Sequence, residues 1–325
     1  MKYRQIGSSE ILVSEISLGC WTLGGLNWVN GVPNGWADVD EKEVIAAVHY
    51  ALDLGVNHFD NADVYGNGRA ERLLAKALEN RSKEVIIATK VGWFQGTSAH
   101  AYEPQHIRHQ LEQSLVNLRR EYVDIYYFHH ADFGESDYYL PDAVEVMYRL
   151  KEEGKIRIVG QSAYTEGDFL RVVPVVKPEV LQAAANILDD HFIREGTPLY
   201  RLLKERGMTF IAFSPLAQGL LLGKYSAQNP PVFAEGDHRK KSNRFSPEYL
   251  AKVEKIIAPL KEHFGGEVRQ LARVALQYIL FQDVVSAVIP GFRNRAQVEA
   301  NLWGQDLPLT REDIIFIRQV VQRNA

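Results

Sequence analysis

One carboxylate and one phenol near residue 60, together with a lysine and a histidine further along the chain, could take part in proton transfer. The segment HFDNADVYG at 58–66 places a carboxylate, Asp60, five residues before a phenol, Tyr65. Lys90 ends the apolar run VIIATK, and His129 ends the run VDIYYFH. A phenol with its ordinary pKa of about 10 keeps its proton at neutral pH, and a nearby ammonium favours the phenolate. We predict that the Lys90 ammonium lowers the pKa of Tyr65 and that Asp60 pairs with Lys90 and fixes its position. Tyr65 is then the proton donor, and His129 orients a carbonyl oxygen.

These residues must be positioned by a repeating pattern of strands and helices. A hairpin is predicted at 2–15, and a helix is predicted to begin after Asp40 and to end at Gly55. Eight mostly apolar runs alternate with helical segments, which favours a closed (β/α)₈ barrel over an open doubly wound sheet, as one domain over 1–325. The predicted strands are 16–21, 56–60, 84–90, 122–128, 155–162, 179–185, 208–214 and 283–291, and the further helices are 69–80, 104–119, 142–153, 198–206, 294–303 and 310–323.

In such a barrel the chemistry lies at the carboxyl ends of the strands. Asp60, Lys90 and His129 follow three successive predicted strands, so we expect them to meet at one rim. The longest irregular stretch, 224–246, follows the seventh strand and is predicted to form a lid. The residues at the eight ends are Gly19-Cys20-Trp21, Asp60, Lys90, His129-His130, Ser162, Gln182, Ser214 and Gly291.

The composition excludes several classes of protein. With 46% hydrophobic and 24% charged residues and a net charge of -4, the chain resembles an ordinary globular protein and lacks the basic balance of a nucleic-acid-binding protein. A single cysteine, Cys20, excludes an intrachain disulfide. No signal peptide and no apolar run of about 18 residues is found, so we expect a cytoplasmic protein without a membrane partner. His106 and His109 lack a third ligand, so no metal site is predicted.

Several motifs, in this order, resemble those of the aldo-keto reductases. They are FDNADVYG at 59–66, the strand ends at Lys90 and His129, SPLAQGLLLGKY at 214–225 and IPGFRNRAQVEAN at 289–301. The resemblance covers essentially the whole chain and implies a TIM barrel with an N-terminal β-hairpin, NADPH bound in extended form, and a catalytic tetrad of Asp60, Tyr65, Lys90 and His129. The family's catalytic histidine follows a strand aspartate, here Asp124, by five residues, which selects His129 over His130.

The resemblance also implies which residues contact the cofactor. Arg293 would bind a 2′-phosphate, which favours NADP over NAD. The family's usual asparagine and tyrosine near the nicotinamide are replaced here by Ala163 and Ala185. The implied contacts are Gly19, Trp21 and Asp60; Ser162, Gln182 and Phe213 at the nicotinamide; Ser214, Pro215, Leu216, Gln218, Gly219 and Lys224 along the pyrophosphate; and Gly291, Arg293, Gln297 and Asn301 at the adenosine end.

The expected function is reversible hydride transfer between NADPH and an aldehyde or ketone. Trp21, Tyr65 and His129 are the predicted substrate contacts, and Trp28, Trp36 and Trp93 are further candidates for the pocket wall. Sugars and aryl carbonyls are equally compatible with the loops, and the protein is expected to be a monomer or a weak homo-oligomer. The alternative is a cofactor-sensing subunit that resembles the beta subunits of potassium channels and has little turnover. The absence of an extension before the hairpin counts against that alternative.

Overall fold

The computed structural model describes residues 1–29 and 31–324. The strands are β1 (Tyr3–Gln5), β2 (Leu12–Ser14), β3 (Leu18–Gly19), β4 (Leu26–Val29), β5 (Val32–Gly35), β6 (His58–Asp60), β7 (Ile86–Val91), β8 (Val123–Phe128), β9 (Ile156–Ser162), β10 (Val180–Ala184), β11 (Thr209–Phe213) and β12 (Val285–Ile289). The helices are α1 (Glu41–Asp53), α2 (Arg69–Leu78), α3 (Pro104–Leu118), α4 (Leu140–Glu152), α5 (Glu166–Val176), α6 (Pro198–Arg206), α7 (Pro247–Phe264), α8 (Val268–Leu280), α9 (Arg295–Leu302) and α10 (Arg311–Asn324).

Eight parallel strands form a closed barrel. Their order in the sheet is β12, β11, β10, β9, β8, β7, β6 and β3. The backbone closes the ring between β3 and β12, because Ser17 N donates to Val288 O at 2.9 Å and Gly19 N donates to Pro290 O at 3.0 Å. The predicted (β/α)₈ fold is therefore confirmed, and the chain order of the strands places the ends of β6, β7 and β8 side by side.

The N-terminal hairpin closes one end of this barrel. Strands β1 and β2 pair antiparallel, and Ile6, Ile11 and Val13 pack against the side chains inside the barrel, such as Ile125 and Ile211. Gly7 N also donates to Thr209 Oγ1 at 2.9 Å. Apolar side chains fill that end, so a ligand site is expected at the opposite end, where the strands finish.

The predicted elements agree with the observed ones to within a few residues at each end. The first strand is shorter than predicted, with only Leu18–Gly19 in regular pairing. Three helices, α5, α7 and α8, come in addition to those that were predicted from the sequence. Among the described residues, no helix is long and apolar enough to cross a membrane.

Candidate active site

A cavity of about 770 Å³ opens at the carboxyl ends of the strands. Of the four residues predicted to be catalytic, Asp60, Tyr65 and His129 line it, and Lys90 lies behind Asp60. Every residue predicted to contact the cofactor also lines this cavity, namely Gly19, Trp21, Asp60, Ser162, Gln182, Phe213, Ser214, Pro215, Leu216, Gln218, Gly219, Lys224, Gly291, Arg293, Gln297 and Asn301.

Asp60, which lines the cavity, forms a buried ion pair with Lys90 of the neighbouring strand β7. Lys90 Nζ contacts Asp60 Oδ1, and the two side chains are 1% and 2% exposed. Lys90 Nζ also donates to the carbonyl oxygen of Asn61 at 2.6 Å, and Gln182 Nε2 donates to Asp60 Oδ2 at 2.8 Å. A buried charge is tolerated only when it is paired and hydrogen-bonded. Asp60 therefore fixes the positions of both Lys90 and Gln182, which lies on β10.

Tyr65 lies in the turn after β6, directly above this pair. Its ring centroid is 5.3 Å from Lys90 Nζ, 5.9 Å from the His129 ring and 6.0 Å from the Trp21 ring. The turn is held against the loop after β3, because Gly66 has a φ of +60° and a Cβ there would overlap the carbonyl oxygen of Gly24. Glycine at 66 thus permits the close backbone approach that presents the phenol to the cavity.

The protonation of Tyr65 differs from the sequence prediction. Burial raises its pKa well above 10, and the negative charge of Asp60 adds to the rise. The prediction that this pKa is lowered is therefore wrong for the described structure, because burial disfavours the phenolate more than the nearby Lys90 ammonium favours it. Burial lowers the pKa of His129 well below 6.5, and the charge of Lys90 lowers it further. At neutral pH Tyr65 is therefore protonated and His129 is neutral.

The two adjacent histidines after β8 have different surroundings. His129 lines the cavity, and its Nδ1 is buried without a hydrogen-bond partner in the described part of the chain. His130 is held in the loop, since its Nε2 donates to Gly92 O at 2.9 Å and its Nδ1 accepts from Asp132 N at 3.2 Å. Of these two histidines, His129 is therefore the one whose imidazole is available to a molecule in the cavity.

The far side of the cavity has features that suit a phosphate-bearing dinucleotide. Residues 214–219 curl around it, with Ser214, Ala217 and Gln218 at φ values of +53°, +48° and +58°. Lys224 and Arg293 line this side, and neither has a carboxylate within 4 Å among residues 1–29 and 31–324. Two cations without an acidic partner favour phosphate groups. Residues that could hold the phosphates of a dinucleotide are therefore present on this side.

Comparison with known proteins agrees with this geometry. The chain matches the model of the aldo/keto reductase family over residues 15–322. This chain belongs to the aldo/keto reductase family. As a member of it, the protein is an oxidoreductase that acts on small molecules.

Individual relatives of this aldo/keto reductase differ in what their names describe. It is 29% identical to a probable voltage-gated potassium channel subunit beta from Oryza sativa subsp. japonica, over 99% of this chain and 97% of the relative. It is 28% identical to the NADH-specific methylglyoxal reductase of Escherichia coli strain K12, over 99% of both chains. The holo form of the aldo-keto reductase AKR11C1 from Bacillus halodurans superposes with a TM-score of 0.76 and is 29% identical, over 100% of this chain and 96% of that one.

The loops of this aldo/keto reductase add side chains that the sequence did not identify as part of the site. Tyr164 and Arg239 line the cavity, and so do Asn27 and Asn34 of the β4–β5 hairpin. The pattern of barrel-strand ends gives no signal for them, because no strand of the barrel ends at any of these residues. Among the candidate tryptophans, Trp36 and Trp93 line the cavity, whereas Trp28 is 65% exposed and lies outside it. Ala163 and Ala185, which replace the family's usual residues, are fully buried outside the cavity wall.

The predicted lid of this aldo/keto reductase packs against the β4–β5 hairpin. The backbone of Asp237 pairs with that of Gly35, and the His238 ring lies 4.3 Å from Trp21 and 4.7 Å from Trp36. This segment thus contacts both tryptophans of the cavity wall, and its Arg239 lines the cavity.

Proposed function

We propose that this aldo/keto reductase reduces an aldehyde or ketone with NADPH, reversibly, and that Tyr65 protonates the carbonyl oxygen. The observation that supports the proposal is the placement of Asp60, Tyr65, Lys90 and His129 at three adjacent strand ends beside one cavity. The bound nicotinamide would supply the hydride. The described part of the chain contains no group of three residues that could hold a metal ion, so the proposal assigns no role to a metal.

The side chains divide the proton chemistry among them. Tyr65 has a raised pKa and keeps its proton until the substrate oxygen gains negative charge. The ammonium of Lys90, 5.3 Å from the Tyr65 ring, stabilises the phenolate that forms when the proton leaves. Asp60 fixes that ammonium in place. A neutral His129 can donate one hydrogen bond to the carbonyl oxygen and so orient it.

NADP rather than NAD is proposed as the cofactor because of Arg293. Its backbone N–H donates to Gln297 Oε1 at 2.8 Å, and its Nη1 donates to Ala37 O at 2.8 Å, which leaves other guanidinium N–H groups for a phosphate. Asp38 and Glu43 line a recess that also contains Arg293, and their negative charges repel a phosphate bound there. We therefore propose a preference for NADP and not an exclusive requirement.

Replacement of Tyr65 by phenylalanine tests the proposal directly. Tyr65→Phe should lower the rate of NADPH oxidation with an aldehyde by at least about 100-fold, because general acid catalysis contributes on the order of 10²–10⁴. NADPH binding, followed by fluorescence titration, should change by less than about threefold, since the phenol is not needed to hold the phosphates. Tyr138→Phe is the matched control, because Tyr138 is 74% exposed and outside the cavity. Turnover in Tyr65→Phe within tenfold of the wild type would contradict the mechanism.

A second candidate function is that of a cofactor-sensing subunit of a potassium channel. The similarity to a probable channel subunit beta along nearly the whole of both chains favours it. This alternative predicts tight NADPH binding, negligible turnover of every carbonyl tested, and stable association with a purified channel protein.

A cytoplasmic location and a monomeric or weakly homo-oligomeric state stay predictions from the sequence.

A further inference from the structure

A row of six aromatic rings runs along the cavity, with the predicted proton donor near its middle. Successive ring centroids are 5.8, 6.0, 5.9, 6.3 and 6.2 Å apart. All six rings line the cavity. The row consists of Trp36, Trp21, Tyr65, His129, Trp93 and Tyr164.

The end of this row formed by Trp93 and Tyr164 is partly open to solvent. Trp93 follows β7 and Tyr164 follows β9, so the two side chains stand on either side of His129, which follows β8. They are 52% and 54% exposed, although both are large and face the cavity. Apolar surface left exposed beside a reaction site is surface that a bound substrate can cover.

Charge is distributed unevenly around the cavity. Lys224 and Arg293, which line it without an acidic partner among the described residues, lie on segments after β11 and β12, whereas the third cation there, Arg239, is paired with Asp237 at 2.7 Å. In the closed barrel β12 lies opposite β8, so this cationic side faces the wall formed by Trp93 and Tyr164. Among the described residues that line the cavity, the one carboxylate is Asp60, which is already paired with Lys90.

We propose that Trp93 and Tyr164 select the substrate, and that the preferred substrate is an uncharged carbonyl compound with an aryl ring beside the carbonyl group. An aryl ring packs in offset or edge-to-face contact with both side chains and covers their apolar surface. A phosphorylated carbonyl compound would place its charge where the wall offers no cation. A sugar needs several hydrogen-bond partners, whereas the wall offers one hydroxyl and one indole N–H. The inference rests on the proposed carbonyl reduction.

Its test is a comparison of kcat/KM, with NADPH, for benzaldehyde, propanal, an aldohexose and the corresponding hexose phosphate. The wild type should prefer benzaldehyde over each of the others by at least about tenfold. Trp93→Ala and Tyr164→Ala should lower kcat/KM for benzaldehyde by about 10- to 100-fold, as expected when a pocket loses apolar contacts. The value for propanal should change less than threefold. Trp93→Phe and Tyr164→Phe, which keep a ring, should restore most of the benzaldehyde activity.

Two aromatic residues outside the cavity provide the controls. Phe94→Ala changes the residue next to Trp93, and Tyr138→Ala removes an exposed ring. Neither should alter the ratio of benzaldehyde to propanal activity.

The outcomes separate the two proposals. Three results would overturn the inference and leave carbonyl reduction standing. The wild type could turn over propanal as well as benzaldehyde, or it could prefer the sugar or its phosphate. Trp93→Ala could also lose equal activity with both aldehydes. No NADPH-dependent turnover of any of the four compounds by the wild type would overturn both.

Discussion

Removal of the buried charges at Asp60 and Lys90, singly and together, separates the stabilising role of this ion pair from its chemical role. Breaking a buried pair by removing one partner costs about 3–5 kcal/mol, because the other charge stays buried without compensation. In this protein each survivor keeps one hydrogen bond, Lys90 to Asn61 O and Asp60 from Gln182. Such a bond to a charged group contributes about 1.5–3 kcal/mol, so we expect the lower end, about 3 kcal/mol, for Asp60→Asn and for Lys90→Met.

The double variant Asp60→Asn/Lys90→Met leaves neither charge in the site. Replacing both members of a buried pair with neutral groups is often nearly neutral, so we expect a total cost below about 2 kcal/mol and a coupling energy of about 4 kcal/mol. Turnover should stay at least about 100-fold below the wild type, because the ammonium that stabilises the phenolate of Tyr65 is gone.

Urea unfolding at pH 7, followed by the fluorescence of the 5 tryptophans, measures these free energies, and NADPH oxidation is assayed on the same samples. The exposed pair Lys204–Asp283, with side chains 52% and 57% exposed, serves as the control cycle and should show a coupling several times smaller than that of the buried pair. A cost below about 1 kcal/mol for either single change at 60 or 90, or a double cost equal to the sum of the two, would refute the reasoning.

Three further predictions concern the cofactor, pH and the turn at Tyr65. Arg293→Ala should raise the KM for NADPH by about 10- to 150-fold, since hydrogen bonds to charged groups contribute about 1.5–3 kcal/mol. The KM for NADH should change less than threefold. Equal effects on both cofactors would contradict a role of Arg293 in binding the 2′-phosphate. Burial lowers the pKa of His58 from 6.5 to about 4, so the unfolded state binds more protons between these values and stability falls as the pH decreases from 6.5 towards 4. Between pH 7.5 and pH 5, His58→Gln should therefore lose about 2 kcal/mol less unfolding free energy than the wild type, and an unchanged pH dependence would count against the buried neutral imidazole. Gly66→Ala should cost about 1–3 kcal/mol more stability in urea than Gly154→Ala and should also reduce turnover, because both residues have positive φ but a Cβ meets no atom within 4 Å at Gly154; equal costs would show that the approach to Gly24 is unimportant.

The barrel could be predicted because the residue patterns of its strands and helices are local and repeat along the chain. Parallel strands that are covered on both faces are continuously apolar, and their alternation with helices admits few architectures. The starts of strands were predicted too early, because buried apolar residues such as Val56 and Val85 come before the first paired residue of each strand. The helix α5 was not described from the sequence, although Phe169, Val172, Val173 and Val176 are buried at helical spacing.

Tertiary structure decided the properties that depend on distance between remote segments. The sequence alone determined that Asp60, Lys90 and His129 follow successive strands, and chain order in a barrel then places them at one rim. It could not show that Gln182, 122 residues away, hydrogen-bonds Asp60, or that burial outweighs Lys90 and raises the pKa of Tyr65. A pKa depends on solvent exclusion and on every charge nearby in space, and a substrate wall depends on where loops fold back over the barrel. Neither quantity is encoded in the local pattern of residues, so both required the folded chain.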